Sequence, residues 1–178
     1  MPDALCLLIC LIATYTDLKE YRIPNWLTLS GVIAGLLCNT ILVSMLLGPS
    51  AGFFRGFVPA LAGSLLLFLT FAVMGAFNLV AMGDVKLMAA VGACLRWPTV
   101  IYALLYVLVA GGVLGIIISL LKGRLAQVLR NILRLGAKAV GGAKKEDIEL
   151  HRIPYALAIL VGANLAAAIK YYPQLALF

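Results

Sequence analysis

The sequence predicts an all-α membrane protein, a bundle of about six transmembrane helices with a basic interfacial helix between the fifth and the sixth. Hydrophobic residues fill 64% of the 178 positions and charged residues only 12%. A soluble domain carries roughly a quarter charged residues, so this chain has too little polar surface to face water. The apolar residues fall in blocks of about twenty, the length that crosses a hydrocarbon core of ~30 Å. Little length remains outside those blocks, so residues 1–178 are read as a single membrane domain.

The blocks are 3–17, 25–47, 56–77, 83–96, 98–121 and 153–172. The first and fourth are short for a full span, and flanking polar residues, tilt or local thinning must supply the difference. Residues 1–16 begin with Asp3, lack a basic start and run straight into Asp17, Lys19, Glu20 and Arg22. With no small-x-small cleavage site before that cluster, the segment is read as a retained first helix and not a signal peptide.

Segment 122–152 is the one substantial polar stretch, and it holds eight lysines and arginines. Leu125, Val128, Leu129, Ile132 and Leu133 recur in it at helical spacing among arginines. That pattern suits a helix lying on an anionic cytoplasmic leaflet. No aromatic residues interleave with the basic ones, so nucleic acid is not expected as a partner.

Placing this loop in the cytoplasm puts eleven lysines and arginines on that side, Lys19, Arg22 and Lys86 among them. Only Arg55, Arg96 and Lys170 remain opposite, as the positive-inside rule requires. Both termini then lie outside the cytoplasm. Asp17, ending the first helix, and Asp84, at one end of the fourth, reach the same cytoplasmic face.

Among seven acidic residues, Asp17 and Asp84 are the two bordered by hydrophobic helix. An ionisable group there costs a few kcal/mol, so it commonly has a partner or a task. Two carboxylates held together share a proton, leaving one acid and one base to activate water against a peptide carbonyl. Structural uses compete with this. Asp17 could pair with Lys19 or Arg22, and Asp84 could pair with Lys86 or cap the fourth helix. Cys6, Cys10, Cys38 and Cys94 lie in apolar runs, and the lone His151 has no partner at ligand spacing, so no metal site is expected.

Around Asp17 the chain reads Thr-Asp-Leu-Lys-Glu-Tyr-Arg-Ile-Pro-Asn-Trp-Leu-Thr-Leu, and around Asp84 Ala-Met-Gly-Asp-Val-Lys-Leu. The first resembles the prepilin peptidase pattern of an aspartate followed by Arg-Ile-Pro-Asn. The second resembles the Gly-x-Gly-Asp motif of prepilin and preflagellin peptidases. Ile153-Pro154-Tyr155-Ala156-Leu157-Ala158-Ile159, followed by Gly162, is similar to that family's Pro-aromatic-Gly-Pro-Ala segment. The three matches keep the family's order and span most of the chain. Ala81 departs from the motif's first glycine, and Ala156 and Leu157 from its Gly-Pro, which puts loop geometry and substrate preference in question.

The resemblance implies an aspartic endopeptidase with Asp17 and Asp84 as the catalytic pair and no cofactor. Its substrate would be a type IV prepilin or pilin-like protein, whose basic leader is removed at the cytoplasmic membrane face. Gly83 would leave room beside Asp84, Pro24 would rigidify the start of the second helix and Asn25 would cap it. Lys86 either orients the aspartate or substrate, or only follows the positive-inside rule. Pro154 and Tyr155 are site candidates whose structural uses are helix initiation and interface anchoring. The small residues Gly63, Ser64, Gly111, Gly112 and Gly115 would serve packing inside the bundle before any docking of a substrate helix.

The chain starts almost at the first catalytic helix and lacks the cysteine-rich region of longer relatives. It is therefore expected to be the short, peptidase-only form, without N-methyltransferase activity. From a different class, a small ion- or proton-translocating subunit could use the same two aspartates as relay groups. A structural subunit of a secretion machine would need neither. A presenilin-like protease shares the second aspartate motif, and the Arg-Ile-Pro-Asn segment argues for the prepilin branch.

Overall fold

A computed structural model describes residues 2–20, 22–77, 79–121 and 155–169. Every regular element among them is helical. Helix α1 spans Pro2–Glu20, with its proline in the first turn, where a missing N–H leaves no hydrogen bond unmade. Thr14 and Thr16 return their hydroxyls to carbonyls of the preceding turn, Thr14 to Cys10 at 2.8 Å and Thr16 to Ala13 at 2.9 Å. That keeps two polar side chains satisfied in an apolar helix. The expected end at residue 17 is corrected to Glu20. The resulting 19 residues reach about 28 Å, so α1 is not short once its polar last turn is included.

Helix α2, Asn25–Leu47, has the bounds read from the sequence. The chain reverses at Gly48, whose φ of 93° lies in the region that glycine adopts without a Cβ penalty. Helix α3, Pro49–Ala76, starts well before the expected residue 56. Residues 49–55, outside the expected block, form a first turn and most of a π-helical segment at Gly52–Phe57. Tertiary packing decides this stretch. A Cβ at Gly52 would run into Ser44, and one at Gly56 into the Asn39 backbone, so the two glycines let the wide turn lie directly on α2.

Helix α4 is Met82–Leu95, α5 Thr99–Leu121 and α6 Tyr155–Ile169. Among the described helices α4 lies at the centre. It packs against α1, α2, α3, α5 and α6, and every residue from Leu87 to Leu95 is buried. Its sequence is apolar all round for that reason. At 14 residues, about 21 Å, it is the short helix that the sequence indicated.

Two devices let neighbours come close to α4. Gly63 of α3 and Gly92 of α4 face each other so tightly that a Cβ on either would strike the other's backbone. Asn39 of α2 donates its amide to the carbonyls of Ala93 at 2.9 Å and Cys94 at 3.1 Å. Those carbonyls close α4 and have no acceptor role left within the helix.

Among the described residues three helices, Asn25–Leu47, Pro49–Ala76 and Thr99–Ile118, are long and apolar enough to cross a membrane. Their outer faces expose large apolar side chains along the whole length, among them Leu29, Ile33, Leu37, Leu65, Leu69, Val109 and Ile116. Continuous apolar surface of that extent belongs against lipid. The chain is a helical membrane protein. The expected basic helix in 122–152 and the start of the sixth segment lie outside the described residues.

Candidate carboxylate site

Asp17 sits one turn from the end of α1, and Asp84 is the third residue of α4. Helices α1, α4 and α6 pack on one another, which brings two carboxylates far apart in sequence into one neighbourhood. The charge of Asp17 acts directly on Asp84. Asp84 is only 4% exposed, while Asp17 is half-buried.

Each carboxylate is held by a backbone amide near a helix start. Asp84 accepts from the N–H of Ala81, the residue that caps α4. It therefore reaches back from the third helical position to the cap, and does not itself cap the helix as one structural alternative held. Asp17 accepts from the N–H of Ala156 in the first turn of α6. First-turn amides lack intrahelical acceptors and carry the positive end of the helix dipole, so both hydrogen bonds favour a carboxylate. The second oxygen of Asp17, Oδ2, is buried and has no hydrogen-bond partner in the described structure.

The two departures from the motifs thus occupy the positions that supply the amides. Ala81 has φ −71° and ψ 148°, extended backbone open to any L-residue, so its methyl group meets no conformational penalty. Ala156 contributes its N–H to Asp17, and its carbonyl lies 3.3 Å from the Thr14 hydroxyl. A backbone donor makes no demand on the side chain that carries it.

Tyr155 stands next to this pair. Its ring meets Phe71 edge-on at 6.2 Å, its hydroxyl end fills the space left by Gly111, and its phenol lies within the field of Asp84. It is half-buried and packs against the bundle core. Pro154 lies outside the described residues.

The remaining candidates divide differently. Gly83 has room for a Cβ only against Ile23, at 3.3 Å, so the space beside Asp84's neighbour is taken by that side chain. Pro24, with φ −67° and ψ 136°, is itself the cap residue of α2. Its carbonyl accepts from the amides of Leu27 and Thr28. Asn25 does not cap the helix, which corrects the sequence expectation. Its Oδ1 accepts from Lys86 Nζ at 2.9 Å. Lys86 is two residues from Asp84, about 200° around the helix, so this pair lies on the far side of α4 from the carboxylates.

Sequence reasoning missed Thr14, Ile23 and Gly111 as neighbours of the site. Ile23 was visible inside Arg-Ile-Pro-Asn. Thr14 gave no signal, and Gly111 signalled close packing without naming its partner, because their contacts depend on how α1 and α5 meet α6. Among the described residues no group of three or more His, Cys, Asp or Glu side chains could hold a metal ion.

Fold and site together define a helical membrane protein in which separate helices bring two aspartates to one end of the bundle. Residues 4–116 match the type IV leader peptidase family, and the chain belongs to that family. The match includes both aspartates and ends before α6. No curated protein and no solved structure matches the chain.

Proposed function

We propose that the protein removes the basic leader from type IV prepilins or pilin-like proteins, using Asp17 and Asp84 to activate water at the cytoplasmic face of the inner membrane. The observation that supports this reading is that α1 and α4 bring Asp17 and Asp84 near enough for the charge of one to be felt at the other, each beside a backbone amide. Family membership supports the same reaction class.

In this mechanism one proton is shared by the pair. The ionised partner takes a proton from water as the oxygen attacks the scissile carbonyl, and the protonated partner donates to the carbonyl oxygen. Transfer of a proton to the leaving nitrogen then releases the leader. Tyr155 positions Asp84 through packing. All six helices cross the bilayer in this reading, α4 enclosed by the others, with the carboxylate end toward the cytoplasm, where leader and water are both present.

The test is cleavage of a prepilin panel by purified protein in liposomes, comparing wild type with Asp17→Asn and Asp84→Asn. Leader removal by wild type and by neither folded variant supports the reading. Full cleavage by either variant, or no cleavage by wild type across the panel, refutes it. Proton flux that depends on both aspartates would then assign them to ion translocation.

A further inference from the structure

Helices α2 and α3 are pinned together at one end, where Gly52 and Gly56 lie on Ser44 and Asn39. Toward the other end they part over α4 and leave an open groove of about 390 Å³. Its walls are Thr28, Leu29 and Val32 of α2 and Phe68 of α3, and its floor is Ala89 of α4. Lys86 and Asn25 stand at its head.

The groove opens between two helices that are each long and apolar enough to span a membrane, so its surroundings are lipid. The Lys86 ammonium is exposed and among the described residues makes one hydrogen bond, to the neutral Asn25 side chain. Two of its three donors remain available, and its charge is not compensated by Asn25. An apolar trough headed by a cation and an amide matches one chemistry closely, an acyl chain joined to an anionic headgroup. A scissile peptide suits it poorly. Lys86 and Ala89 lie on the face of α4 turned away from Asp84, so a chain lying here does not reach the carboxylates.

We infer that the groove between α2 and α3 binds one anionic phospholipid, its phosphate on Lys86 and one acyl chain along Leu29, Val32 and Phe68. Bound there, the lipid wedges the open ends of α2 and α3 and fixes Asn25 at the start of α2. The site is independent of the proposed peptidase chemistry, and its test does not use cleavage.

The experiment is native mass spectrometry of the full-length chain, released from micelles that hold equal phosphatidylglycerol and phosphatidylcholine with identical acyl chains. Wild type is expected to retain one phosphatidylglycerol with about fivefold preference, the factor that one lysine near a headgroup supplies. Lys86→Gln, which keeps a donor for Asn25, should abolish the preference. Val32→Phe, which fills the trough, should lower retention of both lipids while the basic residues stay intact. Equal retention of the two lipids by wild type overturns the proposal, as does a preference that survives both substitutions. A photocrosslinker at position 32 that captures added prepilin in place of phosphatidylglycerol would also overturn it, in favour of a substrate helix.

Discussion

The Asp17 carboxylate accepts its hydrogen bond from the amide of Ala156, so the start of α6 is tied to the end of α1 by a candidate catalytic group. One residue therefore serves chemistry and architecture together, and substitutions separate the two. Asp17→Asn keeps an oxygen acceptor and loses the charge. Asp17→Ala loses both. Both variants should lose leader cleavage by about 10²–10⁴-fold, the contribution of a positioned acid or base. Thermal unfolding in detergent should show Asp17→Ala less stable than Asp17→Asn by about 1 kcal/mol, the usual worth of a cap.

Ala81 offers the matching test at Asp84. Its φ of −71° lies within proline's range, so Ala81→Pro removes the amide donor without demanding a new φ at that residue. Loss of one hydrogen bond to a charged group, about 1.5–3 kcal/mol, should lower kcat by about tenfold or more. Steady-state cleavage with KM and kcat resolved is the measurement.

Gly111 and Gly112 make an internally controlled pair. A methyl at Gly111 would overlap the Tyr155 ring and hydroxyl, whereas a Cβ at Gly112 meets nothing within 4 Å. Gly111→Ala should cost about 1–3 kcal/mol of stability and reduce cleavage by pushing the ring off its seat beside Asp84. Gly112→Ala should match wild type in both assays.

Asn39 tests the opposite end of α4. Asn39→Leu keeps the volume and removes the donors to Ala93 and Cys94, leaving buried carbonyls unsatisfied at a cost of about 1–3 kcal/mol each. A lower unfolding midpoint is expected. Asp84 lies ten residues from Cys94, about 15 Å along the helix, so kcat per folded molecule should stay at the wild-type value.

Much of this was legible in the residues. The bounds of α2 follow from its apolar run and its proline, and the membrane class follows from composition. Asp17 and Asp84 stand out because acidic residues are rare beside hydrophobic helix. The sequence block began too late, at residue 56, because residues 49–55 enter the helix where glycines let it rest on α2. The sequence misled at Asn25, whose side chain prefers the Lys86 ammonium across the helix pair to the free amides of its own helix.

Gly63, Ser64 and Gly111 show the same division. Their smallness announced close approach, and all three are spent inside the bundle, Gly63 on Gly92 and Gly111 on Tyr155, whereas Gly112, expected to pack with them, is exposed with nothing within 4 Å of an added Cβ. Which partner each would meet depended on helix crossings that no local pattern encodes.

What the sequence determined by itself was the solvent of the fold, the helices' places and the two carboxylates at helix ends. Hydrophobicity and period are local properties, and they can be read one segment at a time. The tertiary structure decided that α4 lies at the centre, that Ala81 and Ala156 supply amides to Asp84 and Asp17, and that Lys86 lines the groove between α2 and α3. Those facts rest on backbone groups and helix rotations, which carry no side-chain signature and exist only once the helices pack.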